Sequence, residues 1–354
     1  MTQFISDCEG PLTKNDNAQE ITAKFIPQGE ELYVRLSKYD DILAYVVKRK
    51  AYKAGDTLKL VLPFLKAYGV TNKKIEEYSK ENLILIPAVK ETLKYIREKM
   101  PCFIISTSYK PYIQALCESI DFPIENTYST DLDLDFLGIE EKERKELLDY
   151  IQEITNLPML EWPDGVSEFS ALPDETQKTV TRLNEIFWDK IAKFNTGKFL
   201  EQVNPVGGKE KAKAIIDSLQ RTSAFYEEVI YVGDSITDVE AFRLVKQNDG
   251  LTVSFNGNRY ALNIAEIACL SDSAVILAIL ADLFTRFGKN KTLELAKNWD
   301  KLRLVDYIDK EWLEKLAGSQ CKVRLVTEEN KPEIVAESEK FRKSFRGEKI
   351  GGIG

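Results

Sequence analysis

The stretch Val229 to Phe242, read as VIYVGDSITDVEAF, constrains the fold more than any other part of the chain. Four apolar residues run into Gly233-Asp234-Ser235, as in a buried strand, and Asp238 follows four positions after Asp234 on the expected first turn of a helix. A buried strand feeding a helix belongs to an open α/β sheet, where ligands bind in the crevice at the carboxyl ends of the strands. Two carboxylates there, with no basic neighbour in sequence, suit a hard cation such as Mg²⁺. A helix cap made by Asp234 or Ser235 is the plainer alternative.

With 354 residues, 44% apolar and 30% charged, the chain can bury a full core as one α/β domain carrying insertions. It opens without a basic leader, and nowhere do about 18 apolar residues run uninterrupted, so a soluble cytoplasmic protein without membrane insertion is expected. Histidine is absent, which removes Ser-His-Asp and Cys-His chemistry and His-ligated zinc together. Hydrolysis would then run on carboxylates, lysine and a metal. The five cysteines, Cys8, Cys102, Cys117, Cys269 and Cys321, lack CxxC spacing and read as reduced core thiols. A net charge of −8 with no strongly basic patch argues against nucleic-acid binding.

Three other segments supply chemistry. Phe4 to Thr13 reads as a short strand and then a turn at Gly10-Pro11, with Asp7 and Glu9 two residues apart. In extended geometry both project into one crevice. One can attack phosphorus, giving an acyl phosphate, while the other handles protons. The strand Phe103-Ile104-Ile105 ends in Ser106-Thr107-Ser108 before a helix from Pro111 to Ile120, which is a natural anion site. Gly207-Gly208-Lys209-Glu210-Lys211 opens another helix, where glycines let backbone approach a phosphate that a lysine neutralises. By contrast, Asp131, Asp133 and Asp135 read as a solvent-facing strand, and Lys48-Arg49-Lys50 as a solvated helix face.

DCEGPLT followed far downstream by GDSITD resembles motifs one and four of the haloacid dehalogenase-like phosphohydrolases. Glu9 stands where a second Asp is commoner in that family and Pro11 where Thr is commoner, although Asp-x-Glu-Gly also occurs in its enolase-phosphatase branch. The family's motif two is a Ser or Thr that binds the phosphoryl group, for which Ser106 is the better match and Thr107 the second. Its motif three is a lysine about two dozen residues before the motif-four Asp, which selects Lys211, with Lys209 as the alternative. The whole chain is also similar to archaeal members sometimes labelled as a subunit of an energy-converting hydrogenase.

The resemblance implies a doubly wound parallel α/β sheet, a Rossmannoid core formed by residues 1–20, 83–135 and 203–290. Two helix-rich cap insertions, 21–82 and 136–202, would enclose the cleft. The C-terminal extension 291–354 is expected to be partly mobile: beyond Leu316 the chain becomes charged and sparse in apolar residues, which reads as a peripheral or partly mobile tail. The implied activity is Mg²⁺-dependent hydrolysis of a small phosphorylated metabolite. Asp7 would be the nucleophile and Glu9 the acid and base, with Ser106, Thr107 and Lys211 on the phosphoryl oxygens. Asp7, the Glu9 backbone carbonyl, Asp234 and Asp238 would hold the ion. Two rival readings are a catalytically weak subunit with a protein partner and a phosphomutase.

Overall fold

A computed structural model describes residues 2–300 and 304–347. Among these described residues, seven strands form one sheet: β1 (Gln3–Ser6), β2 (Cys102–Tyr109), β3 (Thr127–Thr130), β4 (Val229–Gly233), β5 (Leu251–Phe255), β6 (Ile267–Ser271) and β7 (Cys321–Leu325). Their spatial order is β3-β2-β1-β4-β5-β6-β7; every pair is parallel except β6 with β7. This is the expected doubly wound α/β fold.

Strands buried on both faces need apolar residues at every position, and β1, β4, β5 and β6 are buried throughout. Their side chains alternate between two cores. Phe4, Ile104, Ile230 and Val232 face one core together with the helices Val89–Lys99, Lys110–Ile120 and Val275–Lys297. Ile5, Ile105, Val229 and Tyr231 face the other, against the helices Lys209–Thr222 and Val239–Gln247. The chain winds outward in both directions from β1, so the crevice between the carboxyl ends of β1 and β4 is the point where strand order reverses. The Asp7 N–H donates to Val232 O at 2.8 Å there, which sets Asp7 beside the start of the GDSITD loop.

The two insertions form one body. Leu36, Tyr39, Leu43 and Phe64 from the first pack in a single core with Leu147, Ile151, Val180 and Phe187 from the second. Tyr39 ties them further: its ring stacks on Phe187 at 5.9 Å and its hydroxyl donates to Asn184 Oδ1 at 2.7 Å. The Trp162 ring, from the irregular stretch of the second insertion, lies between Tyr45 of the first and Tyr260 of the sheet domain.

Two local expectations are corrected. Residues 131–135 form no strand, because β3 ends at Thr130; Asp133 instead accepts from the Asn72 side chain at 2.7 Å, joining this loop to the cap. The extension after residue 290 is no peripheral tail, either. It adds β7 to the sheet and then the helix Lys331–Arg346, which runs back across the carboxyl edge. Ile334 is buried with Leu262 and Leu270, and the Ser338 hydroxyl donates to Gly257 O at 2.6 Å. The apolar residues that dock this helix are few and widely spaced, so composition hides it. The final Gly351-Gly352-Ile353-Gly354 lies outside the described residues.

Candidate active site

The centre of the site is a buried lysine. Lys211 has no exposed surface, and its Nζ lies 2.7 Å from both Asp7 Oδ2 and Asp238 Oδ1. An ammonium out of water needs such partners. Burial alone would lower its pKa, but the charges of Asp238 and Asp7 outweigh that and raise it, so Lys211 stays charged. Lys209, the alternative lysine, is exposed and faces elsewhere.

Asp238 is fully committed. Its Oδ1 accepts from Lys211 and from the Tyr231 hydroxyl at 2.7 Å, and its Oδ2 from the N–H groups of Asp234 and Ser235 at 3.0 Å. Burial pushes its pKa up, yet the Lys211 charge and these hydrogen bonds hold it below the ordinary value. Asp238 thus shapes the Asp234 loop and orients Lys211, with little capacity left for an ion, although an oxygen from each of Asp7, Asp234 and Asp238 lies within 4.8 Å of the others.

Asp7 and Glu9 both line a cavity of about 100 Å³ between the sheet edge and the cap. The glycine between Glu9 and Pro11 is needed for close approach: Gly10 has φ +103°, and a Cβ there would overlap the Asp234 carboxylate. Burial pushes the Asp7 carboxyl up to about 8 despite Lys211 beside it, with Asp238 and Asp234 adding to the rise. Glu9 is raised well above its ordinary range, first by burial and then by the neighbouring Asp16 charge, while its Oε1 accepts from the Asn17 N–H at 2.7 Å.

The hydroxyl cluster is arranged differently from expectation. Thr107 and Ser108 line the cavity; Ser106 does not, and its Oγ accepts from the Ser108 N–H at 3.1 Å. The reason is a register irregularity between Ile105 and Tyr109, where β2 continues past its expected end. The Ser108 hydroxyl is buried beside the Glu9 carboxyl and works against the rise in its pKa. Thr107 donates to Val206 O at 3.1 Å.

Sequence reasoning missed two residues entirely. Arg342 and Arg346, one turn apart on the helix Lys331–Arg346, are only 4% and 9% exposed and line the same cavity. Both pair with Asp234 Oδ2, Arg346 at 3.1 Å. Arg346 also donates to the backbone oxygens of Lys14 and Asn15, locking the helix against the loop that follows β1. Burial and the adjacent Arg342 charge lower the Arg346 pKa. Two arginines at spacing four were readable as one helix face, but no local pattern joined them to Asp234, more than a hundred residues away.

A small divalent cation fits this donor set in kind. The converging oxygens are hard carboxylates, and Asp234 Oδ1 takes no hydrogen bond among the described residues. Among the described residues, six carboxyls (Asp7, Glu9, Asp16, Asp40, Asp41 and Asp234) and two guanidinium groups (Arg342 and Arg346) line the cavity.

No family model matches the chain, and no curated relative does. Among solved structures, that of gene product AF1437 from Archaeoglobus fulgidus is similar over its whole length, with a TM-score of 0.81 and 27% identity, covering 100% of this chain and 99% of that one. A phosphoserine phosphatase in apo form gives a TM-score of 0.44 at 13% identity, over 75% of this chain and 92% of that one. A phosphoserine phosphohydrolase-like protein from Francisella tularensis gives 0.42 at 16% identity, over 79% and 99%. The last two are too distant to carry an argument. Strand order is that of a doubly wound α/β sheet, and Asp7, Lys211 and Asp234 gather at its carboxyl edge.

Proposed function

We propose that the cavity hydrolyses a small phosphoric monoester. The observation that carries this is Asp7 Oδ2 held 2.7 Å from the buried Lys211 ammonium, in a cavity that Glu9 also lines. Burial favours the protonated Glu9 that a general acid requires, while the Lys211 charge opposes the rise at Asp7 and favours the carboxylate that a nucleophile requires.

An Asp7 carboxylate oxygen attacks phosphorus, and the bond from phosphorus to the leaving oxygen breaks. Glu9 gives its proton to that oxygen and then takes one from water, which attacks the phosphorus of the aspartyl phosphate and restores Asp7. Lys211 keeps Asp7 oriented and offsets charge on the phosphoryl oxygens; Thr107 and Ser108 are the hydroxyls placed to bind them. Ser106 is left as support for the Ser108 backbone. Mg²⁺, held by Asp7 and Asp234 with the Glu9 backbone carbonyl, would neutralise the phosphoryl charge. The small cavity supports a compact substrate, closed over by the cap residues Tyr33, Ser37 and Leu58.

Turnover of a panel of phosphorylated metabolites with Mg²⁺ or with chelator tests the reading, with Asp7→Asn as the inactive control. The pairing of both arginines with Asp234 favours a second reading, a catalytically weak subunit that binds a partner. Absence of turnover across the panel with either Mg²⁺ or Mn²⁺ would decide for it.

A further inference from the structure

The Lys48-Arg49-Lys50 run, expected to be a solvated face, forms one wall of a second and larger cavity of about 690 Å³. The opposite wall is the start of the helix Lys209–Thr222, which brings Lys209 and Lys213; Lys53 completes the rim. Six cationic side chains from two distant segments thus face one basin whose lining, among the described residues, holds two carboxylates, Glu210 and Glu240. The chain as a whole carries a net charge of −8.

Three of the six have their charge already engaged. Lys53 lies 3.2 Å from Asp56, Lys213 lies 2.8 Å from Glu210, and the Arg49 guanidinium sits 4.1 Å over the Trp188 ring. The side chains of Lys48, Lys50 and Lys209 make no hydrogen bond or ion pair within 4 Å among the described residues, the Lys209 charge acting only at longer range on Glu240, and all three are exposed. Lys48 and Ala51 hold positive φ values of 52° and 58°, so the loop bends twice in a conformation that non-glycine residues seldom adopt.

We propose that this basin binds a small molecule carrying two or more linked phosphates. Spread point charges recognise an extended anion better than a compact one, because each ammonium can meet a different phosphate. The volume is in the range of small-molecule pockets and far above that of the catalytic cavity. A thin wall separates the two. Ala54-Gly55 lies against Gly207-Gly208, where a Cβ on Gly207 would overlap Ala54 O, and the Gly208 N–H donates to Thr237 O at 2.9 Å. Tyr45, which lines the basin, donates from its hydroxyl to Ile236 O at 3.2 Å. Ile236 and Thr237 line the catalytic cavity, so the basin touches the loop that carries Asp234.

The inference does not depend on the chemistry at Asp7, and its test separates the two. Pyrophosphate and ATP are titrated calorimetrically into the full chain and into Lys48→Gln/Lys50→Gln/Lys209→Gln, at low and moderate salt, with orthophosphate as control. The same titration on Asp7→Asn reports whether binding needs the catalytic carboxylate. The expected result is one pyrophosphate bound per chain, about tenfold tighter than orthophosphate, weakened by salt, unaffected by Asp7→Asn and lost about tenfold or more in the triple variant. The three lysines are exposed, so the variant should keep its thermal midpoint. No pyrophosphate binding at low salt, equal affinity for orthophosphate, or unchanged affinity in a folded triple variant would each overturn the proposal.

Discussion

Two regions meet at Asp234, and they reach it by opposite routes. The loops after β1 and β4 bring Asp7 and Asp238 through short-range geometry: a glycine at φ +103°, and two backbone N–H groups accepted by Asp238. The helix Lys331–Arg346 brings Arg342 and Arg346 through tertiary docking alone, on Gly257, Lys14 and Asn15. The first region builds a site that attracts cations. The second delivers cations already attached to the chain. Residues tied into their own loop keep their place when a neighbour changes, whereas residues delivered by a docked helix depend on everything that holds it.

That contrast can be broken most sharply from the loop side. Asp7→Asn should remove about 10⁴-fold or more of phosphatase turnover, the scale seen when a nucleophile is lost, with circular dichroism unchanged. Glu9→Gln should cost about 10²- to 10⁴-fold, and less in the first step with an aryl phosphate than with an alkyl phosphate, whose leaving oxygen needs the proton more. Equal, small losses with both substrates would leave Glu9 as a structural residue that accepts from Asn17.

From the helix side, Arg342→Gln with Arg346→Gln leaves the buried Asp234 charge without its partners. Denaturant unfolding should show a loss of about 3–5 kcal/mol, the usual cost of breaking a buried pair from one side. Mg²⁺ should then raise the thermal midpoint more in this variant than in the parent, because the ion restores the missing positive charge. An equal Mg²⁺ effect in both would mean that the arginines and the ion do not meet at Asp234.

The smallest effect concerns the cap. Asp40 accepts from the Gly55 N–H at 2.8 Å, and burial together with the Asp56 charge pushes its carboxyl up to about 7. The folded state therefore holds this proton more tightly than the unfolded chain, where the ordinary value is 3.8. The sign follows: stability is lost as pH rises from the ordinary value through about 7, and regained on acidification. Asp40→Asn should flatten that part of the stability profile measured by denaturant titration.

Much of the fold and half of the site were legible because they are written locally. Unbroken apolar runs at Val229–Val232 and Phe103–Ile105 announced buried strands, and the family resemblance, through the spacing to Asp234, favoured Lys211 over Lys209 as the lysine that lies buried between Asp7 and Asp238. What stayed hidden depends on distant partners. Ser108 takes the lining place expected for Ser106 because β2 shifts register against β3. The arginines become site residues only when β7 and the last helix fold back. The shared core of the two insertions rests on contacts such as Tyr39 with Phe187, which no periodicity encodes.

The central claim is that Asp7 is the nucleophile of a phosphoryl transfer, and the most direct measurement is to trap the intermediate. The full chain, mixed with Mg²⁺ and acetyl phosphate or p-nitrophenyl phosphate and quenched in acid within one turnover, should carry a phosphoryl adduct on the peptide containing Asp7. Peptide mass spectrometry reads it, and the adduct should vanish in Asp7→Asn. Phosphate release with no adduct, or an adduct on a residue other than Asp7, would contradict the account.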